Sequence, residues 1–166
     1  MRTGVALGSN LGDRLSNLHA ARTAIVDLAR VRPPILYSAI YETDPVGCEP
    51  GAGKFLNAVL EFDYAGDPLE LLKSLREIEK TLGRAPDHPH NVSRKIDLDL
   101  LYFGDISMDS DELQLPHPRM HLRKFVLQPV ADIGPNLILP GQSKTVRELL
   151  AKLSESTKVI RLTNNW

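Results

Sequence analysis

Arg94-Lys95-Ile96-Asp97-Leu98-Asp99-Leu100-Leu101-Tyr102-Phe103-Gly104 is an apolar run with two carboxylates set into it, one residue between them. Its β-favouring residues and closing glycine predict a half-buried strand over 96–103. Strand side chains alternate between faces, so Ile96, Leu98 and Leu100 go to a core while Asp97 and Asp99 stand together on the other side. Carboxylates on next-but-one residues lie about 6–7 Å apart at a rise of about 3.3 Å per residue. That spacing suits one shared hard cation or two held between them. An acidic, solvent-facing strand fits the same spacing, and the stretch alone does not separate the two readings.

Upstream of it the pattern alternates between strand and helix. Gly4 to Ser9, with Val5, Ala6 and Leu7 at its centre, reads as a strand running into the turn Asn10-Leu11-Gly12-Asp13. Leu15, Leu18, Ala21, Ile25 and Leu28 recur at spacings of three and four, which predicts a helix that Pro33 and Pro34 end. Ile35 to Thr43 and Phe55 to Tyr64 read as two further strands. In the second, Leu56, Ala58, Leu60, Phe62 and Tyr64 share one face and Asn57 takes the other. The connection Asp44 to Gly53 is too long and too rich in Gly and Pro for a tight hairpin, and such loops often carry function. Asp67-Pro68-Leu69-Glu70 has the cap, proline and acid of a helix start; Leu72, Leu75, Ile78 and Leu82 continue the stripe and Gly83 stops it. A polar, proline-broken loop from Arg84 to Arg94 then delivers the chain into the double-aspartate strand.

This order predicts an α+β fold with a ferredoxin-like βαββαβ core, its two helices packed on one sheet face. Asn57, Asp97 and Asp99 would share the opposite, open face, where a ligand site belongs. The last third supplies a C-terminal α/β extension. Leu115 to Phe125 holds His117, Arg119, His121, Arg123 and Lys124, a strongly basic stretch. Val126 to Ile133 helps close the core, Thr145 to Glu148 has a capping-box pattern, and Val159 to Leu162 reads as a short strand.

The chain of 166 residues fits one domain over 1–166. A net charge of -1 gives no basic field for generic binding to nucleic acid or an anionic membrane. No apolar run is long enough to span a bilayer and Met1-Arg2-Thr3-Gly4 lacks a signal-peptide pattern, so a cytoplasmic protein is expected. The single cysteine, Cys48, has no histidine near it in sequence and reads as a loop thiol. No Gly-x-x-x-x-Gly-Lys-Ser/Thr loop occurs, which excludes a P-loop enzyme. Two carboxylates flanked by arginines are instead the ingredients of a metal–nucleotide site, since Mg²⁺ combines one or two carboxylates with phosphate oxygens and arginine forks match phosphate.

Val5-Ala6-Leu7-Gly8-Ser9-Asn10-Leu11-Gly12-Asp13, Tyr41-Glu42-Thr43-Asp44-Pro45-Val46-Gly47, Phe55-Leu56-Asn57-Ala58-Val59, Gly83-Arg84, Arg94 to Leu101 and Leu115-Pro116-His117-Pro118-Arg119-Met120 follow one another along most of the chain. Together they resemble the successive signatures of the 6-hydroxymethyl-7,8-dihydropterin pyrophosphokinase family of folate biosynthesis. The resemblance implies transfer of the β,γ-diphosphate of ATP to the hydroxymethyl group of a reduced pterin, releasing AMP. It further implies that Asp97 and Asp99 hold two Mg²⁺ ions and act with Arg84 and Arg94 in catalysis. Glu79, Arg84, Arg94, Leu100, His117 and Arg123 would contact ATP. Thr43, Val46, Phe55, Asn57 and Phe125 would bind the pterin. Its partners would be these two small molecules, with no nucleic acid or membrane, and the protein is expected to be a monomer in which the loop from Arg84 to Arg94 closes over the site.

Overall fold

The computed structural model describes residues 1–83, 93–153 and 158–166. Strand β1 (Arg2–Ser9) lies at the middle of an antiparallel sheet, between β5 (Asp97–Phe103) and β4 (Phe55–Tyr64). On the far side of β4 run β2 (Val31–Tyr37) and β3 (Ile40–Thr43), and β8 (Val159–Thr163) adds to the edge of β3. Taken as β5-β1-β4-β3, with helices α1 (Arg14–Val26) and α2 (Pro68–Thr81) as crossovers, this is the expected ferredoxin-like order. A two-stranded piece, β6 (Met108–Asp109) with β7 (Gln114–Leu115), follows β5.

Helices α1 and α2 bury Leu18, Ala21, Ile25, Leu71, Leu75 and Ile78 against Val5, Leu7, Leu60, Leu98 and Leu100, so both cover one face of the sheet. Each fully buried Leu or Ile there contributes about 1.5–3 kcal/mol. Asp67 and Glu70 form the capping box of α2, and Gly83, at φ +95°, follows its end. The buried stripe runs through Leu71 rather than the expected Leu72, which is only half-buried. Helix α1 also stops earlier than expected. It ends at Val26, and Pro33 and Pro34 lie inside β2, where Arg32 and Leu36 pair with β4 on either side of them. The single strand expected over 35–43 is broken at Ser38 and Ala39, because Ala39 turns its N–H away from β4 to Asp132 Oδ2, 3.1 Å away.

That acceptor belongs to α3 (Lys124–Ile133), which with α4 (Val146–Lys152) lies on the other face of the sheet. Val126, Leu127, Val130 and Val146 pack there on Val59, Leu101 and Tyr102. Gly4 makes room for the contact: a Cβ at that position would stand 2.3 Å from the Tyr102 ring. The second face is therefore half covered. Its other half, around Gly8, is where the face opens into a cleft.

Candidate active site

Across the adjacent strands β5, β1 and β4, Asp97, Gly8 and Asn57 are aligned in register, Gly8 pairing with each of the other two. A Cβ on Gly8 would lie 3.5 Å from Asn57 Oδ1, 3.8 Å from Phe55 Cδ1 and 3.9 Å from the Asp97 Cβ. The glycine is thus a bare floor with an amide, an aromatic ring and a carboxylate converging above it. Asn57 Nδ2 donates to Thr43 Oγ1 at 2.8 Å, which fixes the amide and leaves Oδ1 on the floor side.

Around this floor the cleft is lined by Thr43, Val46, Phe55, Asn57, Arg94, Asp97, Asp99, Arg123 and Phe125. Phe55 opens β4 and Phe125 stands in the first turn of α3, so segments distant in sequence bring two rings to one hollow. Arg94 reaches Asp97 Oδ2 at 3.0 Å and stands with its guanidinium carbon 5.7 Å from the centre of the Phe55 ring. Its Nε is buried without a hydrogen-bond partner among the described residues, a donor left for an arriving anion. Arg123 lies 5.6 Å from the centre of the Phe125 ring. Burial and then the neighbouring Arg119 lower its pKa, while Asp99 and Asp97 work the other way. An arginine starts so high that it remains a cation.

Asp99 also borders a second, more open hollow, lined by Leu72, Leu100, Glu112 and His117. Burial, reinforced by Arg123 and Arg119, pulls the His117 imidazole down to about 4, so the ring is neutral at neutral pH. Its Nδ1 accepts the Arg119 N–H at 3.2 Å, which puts the ring proton on Nε2. His117 therefore offers a neutral donor next to two cations.

A model of the 7,8-dihydro-6-hydroxymethylpterin-pyrophosphokinase (HPPK) family matches residues 4–135. The chain belongs to this family. A Bacillus subtilis protein named 2-amino-4-hydroxy-6-hydroxymethyldihydropteridine pyrophosphokinase is 43% identical over 129 residues, covering 78% of this chain and 75% of the relative. One of the same name from Pseudomonas aeruginosa is 39% identical, with 90% of each chain covered. Among solved structures, wild-type Plasmodium falciparum HPPK-DHPS with pterin and p-hydroxybenzoate superposes with a TM-score of 0.69 at 17% identity. That match covers 91% of this chain and 42% of the larger one, and at such identity it speaks for the fold.

In this HPPK-family chain the expected site residues fall into two adjoining groups. Thr43, Val46, Phe55, Asn57, Arg94, Asp97, Asp99, Arg123 and Phe125 share the cleft, while Leu100 and His117 border the neighbouring hollow. Glu79 lines neither: it is buried beneath β5, where its Oε1 accepts the Leu98 N–H at 2.7 Å. Arg84, and with it most of the loop expected to close, lies outside the described residues. Sequence reasoning missed Gly8 as the floor, a role visible only once the pairing of three strands is known. It also set aside Cys48, which borders the cleft.

Among the described residues no group of three or more His, Cys, Asp or Glu could cage a metal. Two carboxylates on one face of β5, next to an open cleft, are instead the donor set of an ion that arrives with phosphate oxygens and keeps water in its other positions. The residues fit Mg²⁺ carried in by a nucleotide.

Proposed function

We infer that the chain catalyses ATP-dependent diphosphate transfer to the hydroxymethyl group of 6-hydroxymethyl-7,8-dihydropterin, the family's reaction in folate biosynthesis. The hydroxymethyl oxygen bonds to the β-phosphorus of ATP and loses its proton, the bond from that phosphorus to the α,β-bridging oxygen breaks, and AMP leaves. The observation that carries the assignment of roles is the row Asp97, Gly8 and Asn57, continued through Asp99 into the His117 hollow. A flat ligand on the Gly8 floor would have an amide at its edge and phenylalanines beside it, with both aspartates at its reactive end.

On this reading Phe55 and Phe125 hold the pterin ring, and Asn57, Thr43 and the backbone near Val46 meet its polar edge. The nucleotide occupies the hollow of Leu100 and His117, with the His117 Nε2–H donating to it. Arg94 and Arg123 bind the phosphates, and their fixed charge offsets the charge that spreads over the phosphoryl oxygens during transfer. Asp97 and Asp99 would hold two Mg²⁺ ions, which when bound neutralise the phosphates and favour the ionised hydroxyl. Glu79 supports the aspartates by fixing the backbone between them.

Every residue in this reading comes from one chain, and residues 1–166 would act as one cytoplasmic, monomeric unit on two small molecules. Among the described residues no helix is long and apolar enough to cross a membrane. Incubation with Mg-ATP and the hydroxymethyl-dihydropterin should yield AMP and the pterin diphosphate, and light scattering should report a monomer. Appearance of ADP in place of AMP would overturn the reaction.

A further inference from the structure

Arg94 is held from behind by groups that the transfer reading does not use. Asn10, buried just past the end of β1, accepts the Arg94 N–H on Oδ1 at 2.7 Å and donates its own backbone N–H to the Arg94 carbonyl at 3.1 Å. The same side chain donates through Nδ2 to Ser93 Oγ at 2.9 Å and to the Gly53 carbonyl at 3.3 Å. Ser93 gives its backbone N–H to Glu49 Oε1 at 3.0 Å. The contacts close a ring, because Glu49 and Gly53 belong to the same segment, the one that also carries Val46 and Cys48 into the cleft lining. The Ser93 hydroxyl and backbone N–H hold the Glu49 carboxyl below its ordinary range, which marks the contact as one with the ionised acid.

Glu49 is exposed, so no packing requirement accounts for it. Its side chain instead joins the segment of Glu49 and Gly53 to the one that carries Arg94. A guanidinium at the end of a flexible side chain acts at a reacting centre only if its own backbone is fixed, since small displacements of a positioned group are expensive in rate.

We propose that Glu49 is a positioning residue for diphosphate transfer: through Ser93 it completes the frame that sets Arg94 between Asp97 and Phe55, tying the pterin-side segment to the phosphate-side cation. The proposal rests on the assignment of Arg94 to the phosphates, and it adds a residue that touches neither substrate.

The test compares Glu49→Ala, Glu49→Gln, Ser93→Pro and the double variant Glu49→Ala/Ser93→Pro, assayed for AMP release with Mg-ATP and the pterin. Ser93→Pro removes the N–H that Glu49 accepts. Glu49→Ala should lower kcat about threefold to tenfold, the range for one ordinary solvent-exposed hydrogen bond, with both KM values within about twofold and an unchanged melting temperature. Glu49→Gln keeps an acceptor oxygen and should recover most of that loss. Ser93→Pro also removes the hydroxyl that Asn10 Nδ2 reaches, so it should lose at least as much as Glu49→Ala, and the double variant should fall no further than Ser93→Pro. Undiminished kcat in Glu49→Ala, no recovery in Glu49→Gln, or multiplied losses in the double variant would each overturn the proposal; if Ser93→Pro does not fold, the two Glu49 variants still decide it. Arg94→Ala in the same assay separates the two levels. Full activity there removes the role of Arg94 itself, whereas loss there beside an intact Glu49→Ala removes only the role of Glu49.

Discussion

Replacing Gly8 with alanine should leave the fold as stable as before while weakening pterin binding. Gly4 and Gly8 lie on the same face of β1, but the space above them differs. A Cβ on Gly4 would stand 2.3 Å from the Tyr102 ring, and that ring cannot swing aside because its hydroxyl donates to Glu61 at 2.5 Å. Gly4→Ala should therefore cost about 1–3 kcal/mol of stability through overpacking. A Cβ on Gly8 meets only ordinary contacts of 3.5–3.9 Å, and Gly8 is not among the positive-φ glycines. Restricting the unfolded chain there should be neutral or stabilise by about 0.4–1 kcal/mol. The added methyl nevertheless rises from the cleft floor between Asn57 and Asp97. If the pterin lies on that floor, the same overpacking of about 1–3 kcal/mol falls on the ligand instead, or about 5- to 150-fold in affinity. Thermal unfolding of both variants, with fluorescence titration of the pterin into the folded Gly8→Ala protein, reads the two quantities separately. Wild-type pterin affinity in Gly8→Ala would take the ligand off this floor, and a large fall in its melting temperature would refute the steric contrast.

Asp97→Ala should lower turnover at saturating Mg-ATP and pterin by about a hundredfold or more, and unchanged turnover would refute the metal assignment. Glu79→Ala leaves the buried Leu98 N–H without its acceptor and should cost about 1–3 kcal/mol in urea unfolding, with Glu79→Gln losing less; equal losses would show that the hydrogen bond is not what Glu79 supplies. His117 titrates near 4 in the fold against about 6.5 in the unfolded chain, so the unfolded chain takes up the proton first and stability falls as pH drops from about 6.5 towards 4. With solvent screening the effect should reach about 1–2 kcal/mol at pH 4, be absent above pH 7, and vanish from the profile of His117→Asn; identical profiles would refute it.

Much of the βαββαβ core was legible because several of its elements carry a complete local signal. The Asp67 capping box and Gly83 bracket α2, and the alternation of β5 assigns Ile96, Leu98 and Leu100 to the core and both aspartates to the cleft. What the sequence hid depends on partners far along the chain. Ser38 and Ala39 look like strand residues, and only Asp132 on α3 explains why the strand breaks there. Pro33 and Pro34 read as a helix stop, yet β2 accommodates them because the register slips between Arg32 and Leu36. Glu79, which the resemblance assigns to ATP, also accepts the Leu98 N–H of β5, a contact that only the fold reveals. Gly8 and Glu49 left no signal, since one matters through what it lacks and the other through a contact with Ser93, 44 residues away.

Strand β8 completes the edge beside β3, roughly 120 residues after it in the chain. A ribosome making this protein therefore releases Ile40 to Thr43 with one flank bare, and that flank stays bare until Val159 to Thr163 have followed. An uncovered strand edge is a template for the wrong neighbour. Thr43, whose Oγ1 accepts from the Asn57 amide, sits on that strand, so the floor of the cleft borders an edge that is covered late.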